Sequence, residues 1–213
     1  GLVFPESRRH YHGPPSLFWQ ALSTVADEFP ATESCRLERY YDSLRGRDGE
    51  DYARLVNDIE SHRLAGLIFA SPPHELRDTP VIQAAGLSRV VIAPRGDFGG
   101  IPAIYPDYSD FVRKALADLH RAGCHRIGVV GVLPAPPEAA AALEHALQEF
   151  GMIAPQKWQQ YPSMYVPEAA RNAVHLLLSN ADDRPDGLLV FDDNLLEPSV
   201  LGVLDRSEEH TSE

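Results

Sequence analysis

Short apolar runs and amphipathic segments alternate along the chain from its first residue. Two runs, "AGLIFAS" (65–71) and "RVVIAP" (89–94), are continuous and apolar, as buried strands are. Further extended segments are predicted at 1–4, 36–41 and 101–106. Between these strands, apolar residues recur at every third or fourth position, which is the spacing of one helix face. These helix-face residues are Phe18, Ala21, Leu22, Val25, Phe29, Tyr52, Leu55, Val56 and Ile59.

The same alternation restarts near Asp107 and predicts a second unit of the same kind. Strands are predicted at 125–131 and 187–194, and Gly123 and Gly151 are placed to end two of the helices. Continuous apolar strands separated by amphipathic helices are typical of parallel sheets with helices on both faces. We therefore predict an α/β fold of two Rossmann-like subdomains with parallel sheets. The predicted subdomains are residues 1–107 and residues 108–205.

In such sheets, ligands bind beyond the carboxyl ends of the strands, so the loops at those ends carry the candidate chemistry. The loops are 5–13, 42–48, 71–78, 95–100, 131–138 and 192–194. The last of them follows the apolar run Leu188–Phe191 and reads Asp192-Asp193-Asn194. This chemistry fits a metal or phosphoryl-transfer site, a grip on sugar hydroxyls, or an acidic helix cap. The residues alone leave the three alternatives open.

Composition narrows the classes of function. The chain has 213 residues, 44% of them hydrophobic, and a net charge of −12. A strongly acidic chain does not bind nucleic acid by itself, because phosphate neutralisation needs clustered Lys and Arg. Cys35 and Cys124 are far apart and fit reduced thiols of a cytosolic protein. The histidines lack carboxylate or cysteine partners at ligand spacing, so we expect no metal site and no cofactor.

The order of several short motifs resembles LacI/GalR-type transcriptional regulators. "IPAIYPDYSDFVRKALADLHRAGCHRIGVVG" (101–131) is similar to the family's crossover segment, with Leu119, Gly123, His125, Ile127 and Gly131 at its marked positions. "RPDGLLVFDDNLLEPSVLGVL" (184–204) resembles the later strand and helix, whose usual text is P-D-A followed by an apolar run and N-D. "GLVFPE" and "LAGLIFAS" resemble the first and third strands of the effector domain.

The resemblance implies the type I periplasmic-binding-protein fold, with a ligand cleft between two subdomains. It further implies a cytoplasmic, homodimeric regulator that senses a small polar effector, a sugar or a sugar derivative, without a cofactor. Operator DNA would be bound only by a helix-turn-helix head that precedes the residues present here. We also expect the closing strands of both subdomains to lie beyond this chain, and expect exposed sheet edges and marginal stability as a consequence.

Residues 206–213, "RSEEHTSE", differ from the rest of the chain. They are polar and offer no apolar face with which to continue the helix that is predicted to begin near Leu195. All eight residues match the conceptual translation of a common short-read sequencing adapter. We therefore interpret 206–213 as a non-native tail.

Several residues are candidates for effector contact by their place in the resemblance. Asp193 aligns with the acid of the family's N-D pair, and Asp192 replaces the Asn. The other candidates, from loops that border the cleft in relatives, are Arg95, Asp97, Tyr11 and Tyr165. Each has an ordinary structural alternative: a helix cap for the two acids, a glycine-flanked turn for Arg95 and Asp97, and packing for the aromatic residues. The nearby Trp19 and Tyr161 carry the same ambiguity.

The chain departs from the family at one position that usually grips the effector. The helix after 125–131 normally carries R-x-x-G, and here Ala141 and Glu144 occupy those two positions. The loss of this arginine removes a bidentate clamp for hydroxyl or carboxylate groups. The effector is therefore expected to differ, to bind weakly, or to be absent.

Two other functions compete with the regulator. One is an extracytoplasmic solute-binding protein of the same fold, which a signal peptide upstream would indicate. The other is an enzyme that uses Asp192 and Asp193 for Mg²⁺ or a phosphoryl group. That enzyme would need further acids after the first strand and a lysine at a strand end. The first strand is followed by Glu6 alone, and the two lysines, Lys114 and Lys157, are at neither place. The sequence therefore predicts a protein that is not an enzyme.

Overall fold

A computed structural model describes residues 1–7, 17–28, 36–44, 47–93, 96–132, 136–180 and 182–211. The chain divides into two compact units, unit 1 (Gly1–Pro106) and unit 2 (Asp107–Glu213). Each unit is an α/β layer structure with a parallel sheet. The predicted fold class is therefore confirmed.

Unit 1 contains a five-stranded parallel sheet of order β2-β1-β3-β4-β5. Its strands are β1 (Leu2–Val3), β2 (Arg39–Tyr40), β3 (Gly66–Phe69), β4 (Ser88–Ile92) and β5 (Ala103–Ile104). Its helices are α1 (Leu17–Glu28), α2 (Tyr52–Glu60) and α3 (Pro80–Gln83). Helices α2 and α3 cover one face, where Leu55, Phe69 and Val81 are fully buried. Helix α1 supplies Ala26 to a smaller cluster with Leu2 and Phe4, so both faces of the sheet are covered.

Unit 2 contains a three-stranded parallel sheet of order β7-β6-β8. Its strands are β6 (Ile127–Val130), β7 (Gln159–Gln160) and β8 (Gly187–Val190). Its helices are α4 (Tyr108–Arg121), α5 (Pro137–Phe150), α6 (Pro167–Ser179) and α7 (Leu196–Thr211). Helices α4 and α5 pack on one face around Leu116 and Ile127. Helix α6 packs on the other around Val130, Val174 and Leu195, so helices cover both faces of this sheet.

Two elements differ from the sequence-based expectation. Strand β7 was not predicted, because it consists of two polar residues, Gln159 and Gln160, and has no apolar signal. Helix α7 was expected to lose its pattern after Leu204 but continues to Thr211. The energetic barrier to a helix lies in its nucleation, so a helix already held by packing propagates through residues without an apolar face. The continuation leaves the interpretation of 206–213 as a non-native tail untested.

Among the helices that the structure describes, none has the length and apolar character needed to cross a lipid bilayer.

Candidate functional site

The candidate site is the turn that joins β8 to α7 at the carboxyl end of the unit 2 sheet. After Val190 the chain stays extended through Asp192, and Asp193–Leu195 then form one turn of 3-10 helix. Leu195 is fully buried beside Val130 and Val174 and anchors the turn on the core. The backbone N–H of Leu195 donates to the carbonyl of Asp192 at 3.0 Å. Leu195 therefore holds the turn on the core, while the two acids lie at the carboxyl end of the sheet.

Asp192 serves as the N-cap of this turn. Its carboxylate Oδ1 accepts a hydrogen bond from the backbone N–H of Asn194 at 2.9 Å and a second from the side-chain Nδ2 of Asn194, also at 2.9 Å. An N-cap acid satisfies N–H groups at a helix start that would otherwise lack acceptors. The helix-cap alternative considered from sequence thus describes the contacts of Asp192.

Asp193 is the more exposed of the two acids. Its Oδ1 accepts a longer hydrogen bond, at 3.3 Å, from Nδ2 of Asn194. Partial burial, and secondarily the neighbouring Asp192 carboxylate, raise the pKa of Asp193. A carboxylate that is partly desolvated and repelled by a neighbouring acid gains stability when a hydrogen-bond donor or a cation approaches it.

Asn194 belongs to the loop predicted from sequence but was not among the candidates for effector contact, and it contacts both acids. The side chain is only 7% exposed, and its Nδ2 contacts both acids. Because carboxylates only accept, the amide nitrogen must face them, which fixes the orientation of the amide. Its Oδ1 is buried and lacks a hydrogen-bond partner within the described parts of the chain. In the sequence, the signal for this contact is an amide residue directly after two acids. The hydrogen bonds from Nδ2 of Asn194 to both acids depend on the 3-10 turn.

Aromatic residues surround the ends of the three strands. Gly131 follows β6, and the position of a Cβ built on it lies 3.6 Å from Cβ of Phe191 and 3.7 Å from the ring of Tyr161. Phe191 packs edge-on against Phe111, with ring centroids 5.7 Å apart. Tyr161 is 40% exposed. The hydroxyl of Tyr161 donates to Oε1 of Gln159 at 3.0 Å. The ends of β6, β7 and β8 thus bring an aromatic wall next to the acidic turn.

Tyr108, at the start of α4, lies in a negative electrostatic potential produced by nearby carboxylates. Burial raises the pKa of the Tyr108 hydroxyl most, and the carboxylates of Glu138 and Asp192 raise it further. A phenolate is disfavoured where negative charges already lie nearby. The first turn of α5 and the turn after β8 therefore both contribute negative charge near Tyr108.

Tyr165 and the replaced arginine positions lie in exposed surroundings. Tyr165 is 75% exposed, and its backbone N–H donates to Oγ of Ser163 at 3.3 Å. Ala141 and Glu144 lie on the exposed face of α5. The hydrogen bond of Tyr165 to Ser163 does not connect it to Asp193, and its role in effector binding stays a prediction.

The candidates of unit 1 have structural roles where the structure describes them. Arg95 and Tyr11 lie outside the described residues. The side chain of Asp97 accepts from the backbone N–H of Gly99 at 2.9 Å and so stabilises its own turn. The indole Nε1 of Trp19 donates to the carbonyl of Ala70 at 3.1 Å, and its ring packs against the cluster of Leu2 and Phe4.

The metal-site alternative for the acidic turn depends on the arrangement of possible ligand side chains. In the part of the chain that the structure describes, no group of three or more His, Cys, Asp or Glu side chains is arranged to hold a metal ion. The free Cys124 lies away from the acidic turn, and its Sγ donates to the carbonyl of Asp186 at 3.2 Å. What the turn after β8 offers is a set of hydrogen-bond acceptors beside aromatic rings.

No protein-family model and no curated protein matches this chain, but many solved structures do. The Escherichia coli transcriptional repressor ascG is similar over 99% of this chain and 72% of its own, with 18% identity and a TM-score of 0.65. A LacI family transcriptional regulator from Lactobacillus casei with bound sucrose is similar over 97% and 74%, with 17% identity and a TM-score of 0.63. The Cra transcriptional dual regulator from Pseudomonas putida, in complex with fructose 1-phosphate, is similar over 98% and 73%, with 20% identity and a TM-score of 0.58.

These similarities lie at or below 20% identity and establish the fold. The chain has the α/β fold of LacI-type regulators, and the resemblance inferred from the motifs is confirmed at that level.

Proposed function

We propose that this chain is the ligand-sensing domain of a LacI/GalR-type transcription regulator. It binds a small polar effector, a sugar or a sugar derivative, at the carboxyl ends of its parallel strands. The observation that carries the proposal is the Asp192-Asp193-Asn194 turn, placed at such an end in a chain of this fold. Two of the similar structures hold sucrose and fructose 1-phosphate, which supports a carbohydrate as the class of effector.

The proposed recognition follows from the contacts of the turn. Sugar hydroxyls need carboxylate or amide acceptors held in fixed positions, together with flat apolar surfaces for the ring. Asp193 supplies an exposed carboxylate, and Asn194 holds it from below. Tyr161 and Phe191 supply rings at the neighbouring strand ends. Asp192 acts as a positioning residue, because its Oδ1 is already engaged by Asn194.

Effector binding would change DNA binding by shifting a conformational equilibrium of a homodimer, since a ligand shifts such an equilibrium by its differential affinity for the two states. The exposed apolar residues along α7 support association through this helix. Leu196, Val200 and Leu204 recur at every fourth position and are 54%, 48% and 52% exposed. Apolar faces of this kind are common in protein interfaces.

The DNA upstream of the codon for Gly1 tests the regulator against the solute-binding protein. We expect the complete gene, recovered by long-read sequencing of the source DNA, to encode a helix-turn-helix with a basic face directly before this chain. A secretion signal in its place would contradict the regulator and favour the extracytoplasmic solute-binding protein.

A further inference from the structure

The chain contains two Asp-Gly pairs, Asp48-Gly49 and Asp186-Gly187, and the fold gives them contrasting surroundings. In such a pair an aspartate side chain reacts readily with the backbone, because glycine has no Cβ to shield the amide nitrogen that follows the aspartate. The reaction is spontaneous and needs no enzyme. In a folded protein its rate depends on how freely the carboxyl carbon and that nitrogen can meet.

The reaction has two steps, which balance with water alone. First, the backbone nitrogen of the glycine attacks the side-chain carboxyl carbon of the aspartate. A C–N bond forms, the carboxyl O–H group and the amide proton leave as water, and the product is a five-membered succinimide. Second, water adds to one of the two ring carbonyl carbons and the C–N bond at that carbon breaks. The product is aspartate again or isoaspartate, in which the backbone runs through the side-chain carboxyl group.

Asp186 is held away from this reaction by the sheet of unit 2. Its Oδ1 accepts hydrogen bonds from the backbone N–H groups of His125 at 2.9 Å and of Arg126 at 2.8 Å. The N–H of Gly187, whose nitrogen would have to attack, donates to the carbonyl of Arg126 at 3.2 Å. Gly187 also begins β8 and pairs with Ile127 of β6. Ring closure at Asp186 therefore requires the start of both strands to open.

Asp48 has the opposite surroundings. It is exposed in the turn between β2 and α2. No residue that the structure describes forms a hydrogen bond or an ion pair with its carboxylate. The carbonyl of Gly49 accepts from the N–H of Tyr52 at 3.1 Å, but among the described residues no backbone carbonyl accepts from the N–H of Gly49. Surface turns of this kind open more readily than a sheet does.

We infer that Asp48 is a site of spontaneous isoaspartate formation and that the fold protects Asp186 from the same reaction. The co-reactant is water, and no effector or partner is needed. The modification changes the backbone, because isoaspartate adds one methylene directly before Gly49. Gly49 has no room for this change: a Cβ built on it would overlap the carbonyl oxygen of Asp42. The modified turn therefore cannot keep Gly49 in its present position.

The size of the expected difference follows from the bonds that must break at Asp186. Hydrogen bonds to a charged group contribute more than neutral ones, and Asp186 has to lose two of them before its carboxyl group can react. We therefore expect isoaspartate to accumulate at Asp48 at least about tenfold faster than at Asp186 in the folded chain. Both sites have the same reacting pair, so the difference should disappear when the chain is unfolded.

The test incubates the full 213-residue chain at mildly acidic pH, both folded and unfolded in guanidinium chloride. Peptide mapping by mass spectrometry with electron-transfer fragmentation distinguishes isoaspartate from aspartate at each site, and the loss of one water identifies the succinimide. Asp48→Glu is the matched control. It keeps the charge, but its longer side chain would have to close a six-membered ring, which forms much more slowly.

We expect isoaspartate at Asp48 of the folded chain, little at Asp186, none at this position in Asp48→Glu, and comparable amounts at both sites after unfolding. Equal accumulation at the two sites in the folded chain would overturn the protection of Asp186. Accumulation at Asp48 only after unfolding would overturn its assignment and show that the packing of Gly49 on Asp42 prevents ring closure. A preference for Asp48 that persisted in guanidinium chloride would assign the difference to local sequence and overturn the role of the fold.

Discussion

The carboxyl ends of the two sheets hold equivalent positions in the fold but differ in charge. In unit 1, the segments that follow β1 to β4 mix both signs of charge. Their arginines are Arg8, Arg9, Arg45, Arg47, Arg77 and Arg95, and their acids are Glu6, Asp42, Asp48, Glu50, Asp51, Glu75, Asp78 and Asp97. In unit 2, the corresponding segments contain acids and no basic residue. Acids thus follow the strands in both units, whereas arginines follow them only in unit 1.

The two ends also differ in what their polar side chains do. Where the structure describes unit 1, Asp51 accepts from the backbone N–H of Tyr41 at 2.8 Å, and the buried Ser43 donates to the carbonyl of Tyr41 at 2.9 Å. Asp97 binds its own turn. In unit 2, Asp192 has a similar role, while Asp193 remains exposed. Backbone N–H groups of the turn also interact with the Asp193 carboxylate, so what distinguishes Asp193 from Asp192 is its greater exposure.

Replacing the two turn-stabilising acids tests this distinction with the largest expected effect. Asp192→Ala removes the acceptor for both the backbone and side-chain N–H groups of Asn194, and we expect a loss of about 1 kcal/mol in the free energy of unfolding. Asp97→Ala removes one hydrogen bond in an exposed turn and should cost about 0.5 kcal/mol or less. Urea unfolding measures both values. Equal losses would show that Asp192 is no more important to its turn than Asp97.

A smaller effect of opposite sign is expected for Asp193. Because the pKa of Asp193 is raised in the folded state, ionisation of Asp193 opposes folding; this cost is present at neutral pH, begins to fall as pH drops through the folded-state pKa, and is gone below the unfolded-state pKa. Asp193→Asn should therefore stabilise the protein at pH 7 by a few tenths of a kcal/mol, allowing for solvent screening of an exposed group.

The measurement for Asp193→Asn is urea unfolding at a series of pH values between 7 and about 3. The gain over the wild type should shrink on acidification and be absent at the acidic end. A loss of stability at pH 7 would mean that the ionised Asp193 supports the turn, and would remove the contrast between Asp193 and Asp192.

Much of the fold could be predicted because its signals are local. Strands β3, β4, β6 and β8 are short apolar runs, and burial of these runs determines the parallel sheets. Strand β7 could not be predicted, since its two glutamines pair with β6 at the edge of the sheet through backbone groups alone. Hydrogen bonding of the backbone leaves no trace in the side-chain pattern.

The site was predictable in position and less so in detail. The order of elements placed Asp192 and Asp193 at the carboxyl end of β8, as observed. The division of roles between them depends on the extended backbone at Asp192 and the 3-10 turn that follows, which no periodicity indicates. The function of Asn194 depends on the same turn. Trp19 could not be assigned from sequence, because its packing on Leu2 and Phe4 requires the folded sheet.

The most direct test of the account is whether Asp193 binds the effector. A carbohydrate panel is screened by thermal shift against the wild-type chain, and the compound with the largest increase in Tm is then tested on Asp193→Ala and on the control Asp183→Ala. The account predicts that the increase is lost in Asp193→Ala and kept in the control, because ligand stabilisation scales with affinity. An unchanged increase in Asp193→Ala would contradict it and leave Asp193 as part of a structural turn.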